Sequence, residues 1–350
     1  MTRRQLLAAA GLAPAILSGG AAFAQSRILR NMGGTPTAFS IRTRAARDGG
    51  APFDIVDHCH RLGLGAVQAR LASFEANEIR KFRQRVEGYG MRAILSAPMP
   101  RDESDVARFD ANVKSCKEAG AIALHTPMTG RRYEDFQTFE AFKENFERCK
   151  KIISLAEPVL RKHRLRLAIE NHKGWRAGEH AEWIRRVDSE WIGVCFDSGN
   201  NLSLCEDPME TLRLLAPYTV FCHIKDMGVE DYPDGFLLSE VVFGDGVVDL
   251  HAVVRTLQKV DRNMVFALEM ITRDPLKIPV FTEGYWATFD DSYSPLPGRD
   301  LARVLDIVRK NPPKKPLPKT SGLSREAQIN LEDDLNRQCI DWARQHLNLA

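Results

Sequence analysis

The sequence predicts an α/β chain folded as a (β/α)8 TIM barrel with a C-terminal helical extension. Short β-rich runs alternate with amphipathic helices along the whole body, the runs number eight, and four of them close on a side chain able to bind a metal. The runs fall at 38–42, 66–71, 92–96, 121–125, 166–170, 192–197, 220–223 and 265–269. Helical patterns lie between them at 75–87, 103–119, 136–163, 180–187, 208–216 and 250–260. Eight strands alternating with helices form a parallel sheet, and eight is the number that closes a barrel. An open doubly wound sheet is the alternative, but no GxGxxG follows the first run.

Composition narrows the class. With 350 residues, 44% hydrophobic and 27% charged, the chain has the material for a large core. Disorder, collagen, coiled coil and a small disulfide scaffold are excluded. A net charge of +3 gives no electrostatic case for nucleic acid. Seven Cys are scattered without finger or CxxC spacing, and Cys195 and Cys222 read as core residues of apolar strands.

Residues 1–24 read as an export signal. Arg3 and Arg4 precede a mild apolar stretch, and Ala22-Phe23-Ala24 offers a small-x-small cleavage pattern before Gln25. The paired arginines point to the twin-arginine machinery; an ordinary secretory signal or a retained anchor are the alternatives. Cleavage near Ala24 leaves a periplasmic or exported protein without a stable membrane anchor. Loss of the two arginines drops the net charge to +1. The barrel is expected over 25–310 and the extension over 311–350. Residues 312–318 are a stiff Pro-rich linker, followed by a helix at 324–347. That helix carries Leu331, Leu335, Cys339, Trp342 and His346 on one stripe, to dock on the barrel or on a second subunit. Residues 227–247 and 271–299 exceed the plain repeat and read as insertions.

Four runs end as an apolar triplet followed by Glu170, Asp197, His223 or Glu269. In a barrel, each such residue points into the same mouth. Three carboxylates and an imidazole suit one divalent ion, Mn²⁺ first, with Mg²⁺, Co²⁺ and Zn²⁺ as competitors. No Cys joins them, which argues against structural zinc. Gathering three carboxylates without a cation would cost several kcal/mol.

The segments Glu170-Asn171-His172-Lys173-Gly174, Phe196-Asp197-Ser198-Gly199-Asn200 and His223-Ile224-Lys225-Asp226, with Leu268-Glu269 and Gly244-Asp245-Gly246, resemble the xylose-isomerase-like TIM-barrel superfamily. That group includes sugar-phosphate isomerases and epimerases, inosose dehydratases and abasic-site endonucleases. The resemblance covers roughly 38–310 and implies that Glu170 and Glu269 both hold the metal and shuttle a proton, with Asp197 and His223 completing the coordination. The epimerase branch commonly has a His where this chain has Asn200. The implied chemistry is proton abstraction beside the carbonyl of a carbohydrate, with isomerisation, epimerisation or β-elimination as outcomes.

Further candidates surround these four. His125 ends its run and is placed to bond a substrate hydroxyl or simply to pack at the rim. His172 and Asn200 are candidate substrate contacts. Lys225 either meets an anionic group or pairs with Asp226. Trp286 or Tyr285, in the aromatic run from Phe281 to Tyr293, stacks on a sugar or packs within its own loop. Apart from Arg42 and Arg70 no arginine stands at a strand end, so a keto-sugar or keto-glycoside is expected rather than a phosphorylated sugar. A binding protein without turnover is the non-enzyme alternative; it would need no bracketing pair of glutamates.

Overall fold

The computed structural model describes residues 28–289 and 296–350, so the expected export signal and Tyr293 lie outside the described residues. The strands are β1 (Leu29–Gly34), β2 (Leu64–Ala69), β3 (Arg92–Leu95), β4 (Ala121–Thr126), β5 (Leu167–Glu170), β6 (Ile192–Asp197), β7 (Thr219–Ile224), β8 (Asp226–Tyr232), β9 (Gly235–Val241), β10 (Phe266–Leu268) and β11 (Leu276–Ile278). The helices are α1 (Ser40–Arg47), α2 (Ile55–Arg61), α3 (Ala76–Gly88), α4 (Val106–Glu118), α5 (Arg132–Asp135), α6 (Phe139–His163), α7 (Ala177–Val187), α8 (Pro208–Leu215), α9 (Leu250–Val260), α10 (Glu283–Trp286), α11 (Gly298–Lys310) and α12 (Arg325–His346). β1, β10, β7, β6, β5, β4, β3 and β2 close, in that order, into a parallel barrel. The doubly wound alternative is thereby excluded.

Seven of the eight expected strands are where the pattern placed them. The first is not: residues 40–47 form α1, and the opening strand is β1, which begins nine residues before the expected run at 38–42. β1 escapes notice because Arg30, Asn31 and two glycines break its apolar run. Those glycines are there for close approach. A Cβ on Gly33 would lie 3.0 Å from the Ala66 backbone, and one on Gly34 would lie 2.8 Å from Cys59 Sγ.

The insertions carry strands of their own among the described residues. β8 and β9 form an antiparallel hairpin, and β11 adds to the edge of β9. The turn Pro233-Asp234-Gly235 supplies the hairpin's reversal, and Gly235 takes φ +155° against the Ile278 carbonyl. The hairpin lies between β7 and α9 in the chain, and β11 joins it from beyond β10.

α12 docks on its own barrel: Cys339 of the expected stripe is buried and Leu335 and Trp342 pack beside it, with the fully buried face centred on Glu332, Asn336, Cys339, Ile340 and Ala343. Glu332 is buried and accepts the Ile41 N–H at 2.7 Å and the Arg42 N–H at 3.0 Å, closing the free N-terminus of α1. Asn336 donates to the Ala38 carbonyl at 2.8 Å, and Arg42 is bound to Asp333. Polar capping fixes the register here. Among the described residues no helix is long and apolar enough to cross a membrane.

Candidate metal centre and active site

The barrel interior is built in layers by the two-residue period of its strands. Ala66, Ile94, Ala123, Ala168, Cys195 and Phe221 form a sealed apolar floor. Two residues further along the same strands, the next inward layer reads Gln68, Ser96, His125, Glu170, Asp197 and His223. Glu269 joins them just past β10. The polar layer therefore sits on a dry base, at the end where every strand opens into the mouth.

Ligand atoms of Glu170, Asp197, His223 and Glu269 all lie within 4.8 Å of one another, and all four residues are buried. His223 Nδ1 stands 3.4 Å from Glu269 Oε1 and 3.7 Å from Glu170 Oε2, with no hydrogen-bond partner of its own. Hard oxygens, one imidazole nitrogen and this unspent atom fit a divalent cation. Burial works against charge on His223, yet Glu269 and Glu170 beside it carry the ring up to about 9. Burial would likewise raise the Glu170 carboxyl, but the His125 hydrogen bond and His223 bring it down to about 2. Cationic neighbours thus keep both flanking glutamates ionised.

A hydrogen-bonded chain orients these ligands. His223 Nε2–H donates to Gln68 Oε1 at 2.7 Å, and Gln68 Nε2–H donates to His125 Nδ1 at 3.1 Å. His125 Nε2–H then reaches Glu170 Oε2 at 2.9 Å. With a proton held on Nε2 by Gln68, Nδ1 of His223 is the atom that could bind a cation, once the cation displaces the proton that the glutamates favour there. Gln68 was missed by the sequence reading; its signal was its place two residues above Ala66.

His125 does line the mouth, but both ring nitrogens are spent on Gln68 and Glu170, so it positions a glutamate rather than waiting for a hydroxyl. His172 also lines the mouth and hydrogen-bonds the Thr129 carbonyl through Nδ1 at 2.8 Å. Asn200 lies behind the ligands instead of facing substrate: its Nδ2 donates to Glu170 Oε1 at 3.0 Å, and its Oδ1 accepts from Lys225 Nζ at 3.0 Å and from Lys173 Nζ. Trp286 is turned away. Its indole N–H donates to the Val280 carbonyl at 2.9 Å, and its ring packs on Tyr285 and Phe289. Tyr285 is buried and Trp286 and Phe289 are half-buried against it, while Phe281 stays exposed, so this part of the aromatic run packs within itself.

Lys225 does not pair with Asp226. Its ammonium lies 2.8 Å from Asp197 Oδ2 and 2.9 Å from Glu269 Oε2, with Glu240 Oε1 at 3.7 Å. The Asp197 contact is an ion pair without hydrogen-bond alignment, since Oδ2 has no such partner. Burial disfavours the charge on Lys225, but Asp197 and Glu269 hold it firmly protonated. Asp226 instead accepts the backbone N–H groups of Met227, Gly244, Gly246 and Val248, which ties the Gly244-Asp245-Gly246 turn to the barrel.

The hairpin brings two more charges. Glu240 of β9 is fully buried and takes both arms of Arg273, at 2.7 and 3.2 Å. The expectation that only Arg42 and Arg70 stand at strand ends leaves out the arginines that loops bring to the mouth. Arg42 is committed to Asp333, but Arg70, Arg131 and Arg273 line the cavity with Lys173 and Lys225. Arg131 and Arg273 reach it from loops that no strand-end pattern marks.

A closed parallel barrel with carboxylates and a histidine converging at its carboxyl end defines an α/β barrel protein whose mouth gathers residues that could hold a metal ion. The chain belongs to the xylose isomerase-like TIM barrel family, whose sequence profile matches residues 56–287. It is 28% identical over 109 residues to the 3-oxo-isoapionate decarboxylase of Pectobacterium atrosepticum, covering 31% of this chain and 40% of that one. It is 25% identical over 232 residues to the uncharacterized protein YihM of Escherichia coli, covering 63% of this chain and 66% of that one. The chain thus spans less than two thirds of either curated relative. Its fold resembles a D-psicose 3-epimerase crystallised in the presence of D-fructose, with TM-score 0.56, 11% identity, and 91% and 99% of the two chains covered.

Proposed function

We propose that this protein is a divalent-metal-dependent isomerase or epimerase that abstracts a proton from the carbon beside a carbonyl of a carbohydrate. The observation that carries the reading is the buried convergence of Glu170, Asp197, His223 and Glu269 around an unpartnered His223 Nδ1. These four would hold the ion, Mn²⁺ first, with Mg²⁺, Co²⁺ and Zn²⁺ as competitors. When bound, the ion supplies Lewis-acid polarisation of a carbonyl and an adjacent hydroxyl.

The chain's own residues do the rest. Glu269, ionised between Lys225 and Thr37, is the base that accepts the carbon-bound proton; Thr37 Oγ1 donates to its Oε1 at 2.8 Å. Glu170, fixed by His125 and Asn200, acts from the other flank and returns the proton in an epimerisation. Lys225 keeps positive charge beside the position where the enolate forms. A lyase is the second reading, supported by the decarboxylase among the relatives: the same electron-rich carbon is reached, and the products alone differ. The proposal also places the enzyme outside the cytoplasm, delivered by the twin-arginine machinery through residues 1–24.

Incubating the metal-loaded protein with keto-sugars and keto-sugar acids in D₂O tests the chemistry. Deuterium is expected beside the carbonyl of recovered substrate or product, and the products separate epimer from eliminated compound. Because internal return of the proton would mask exchange, C-deuterated substrate is run in parallel and is expected to react several-fold more slowly. Turnover with the carbon-bound hydrogen retained and no isotope effect would contradict the proposal.

A further inference from the structure

Lys173 follows Glu170 by three residues and is 2% exposed, yet its ammonium has one partner, the amide oxygen of Asn200. Lys225 uses that same oxygen, at 3.0 Å. The carboxylates nearby are already taken: Asp197 and Glu269 by Lys225, Glu240 by Arg273. Among the described residues no carboxylate pairs directly with the buried Lys173 ammonium, although Glu240 and Asp197 act on it from further off, and two of its three N–H donors are unspent. It lines a cavity of about 770 Å³ that also receives Arg70, Arg131 and Arg273. Arg131 is drawn to Glu134 at 2.7 Å, while Arg70 has no hydrogen bond or ion pair among the described residues. Asn200 bridges the two halves of the site, taking Lys173 on its oxygen and giving its Nδ2–H to Glu170. The ammonium is thus one amide away from a proposed metal ligand.

We propose that Lys173 is the receptor for a carboxylate carried by the substrate, which makes the ligand class a keto-sugar acid in place of a neutral keto-sugar or keto-glycoside. This rests on the metal-dependent reading above and names the substrate class for the same cavity. The counter-ion that Lys173 lacks arrives with the substrate, and the arginines of the rim add a field that draws anions into the mouth. A neutral sugar would leave the buried ammonium unpaired in the complex.

The test uses the full chain loaded with Mn²⁺ and calorimetric titration with gluconate, glucitol and glucitol 6-phosphate. Gluconate is expected to bind at least about tenfold more tightly than glucitol. Lys173→Met should shrink that preference to about twofold or less, read as the ratio of gluconate to glucitol affinity in variant chain at saturating Mn²⁺. Lys173→Arg keeps the charge and should keep most of the preference. Equal binding of gluconate and glucitol, or no binding of either, overturns the proposal. So does a preference that survives intact in Lys173→Met, which would put the carboxylate on the metal. Tighter binding of glucitol 6-phosphate than gluconate overturns the carboxylate assignment. Failure of the metal reading is separate, because it appears beforehand as wild-type chain that takes up no Mn²⁺.

Discussion

Glu269→Gln is expected to lower turnover about 10²–10⁴-fold at saturating Mn²⁺, the range associated with loss of a positioned general base. Gln keeps the shape and can still accept the Thr37 hydroxyl through its oxygen. It cannot carry the proton, and it removes the charge that faces Lys225 at 2.9 Å and His223 at 3.4 Å. Metal affinity should fall as well, so the kinetics must be read at several Mn²⁺ concentrations to separate occupancy from chemistry. Steady-state rates within threefold of wild type, with metal bound, would remove Glu269 from the mechanism.

Lys225→Met is expected to make folding depend on metal. In the metal-free chain the Lys225 ammonium is the cation on which Asp197 and Glu269 both rely, while Glu240 keeps Arg273. Removing one partner of a buried ion-paired cluster costs about 3–5 kcal/mol, since the remaining carboxylates are left uncompensated. A divalent ion supplies charge to the same cluster, so Mn²⁺ should bind the variant more tightly and restore its stability by mass action. Thermal melts in EDTA and in Mn²⁺ check this. A much lower Tm in EDTA that recovers with Mn²⁺ is expected, against a smaller metal shift for wild type. Equal melting of the variant in both buffers would contradict the role given to Lys225.

The barrel and its ligands were legible because parallel strands buried on both faces read as short apolar runs, and a charged residue closing such a run stands out. Glu170, Asp197, His223 and Glu269 share that form. β1 was invisible since its two glycines serve close strand packing instead of burying side chains. The β8–β9 hairpin was hidden in an insertion, although Pro233-Asp234-Gly235 marked its turn; with it went Glu240. Gln68 carries no charge to draw attention, and only the two-residue alternation above Ala66 places it among the ligands. Lys173 was quoted within a motif, but its missing counter-ion is a property of the assembled cavity. The same holds for Arg131 and Arg273, which loops bring to a mouth that strand ends alone do not describe. For Trp286 the sequence left stacking on a sugar and packing within the loop open, and its contacts with Tyr285, Phe289 and the Val280 carbonyl are those of packing.

The most direct test of the central claim is metal stoichiometry. After stripping with EDTA, supplementation with Mn²⁺ and desalting, elemental analysis of the full chain is expected to find one ion per chain. Asp197→Asn and His223→Ala, each removing one converging ligand, should lose most of it while remaining folded by circular dichroism. A folded wild-type chain that holds no divalent ion, whichever of Mn²⁺, Mg²⁺, Co²⁺ or Zn²⁺ is supplied, would contradict the account.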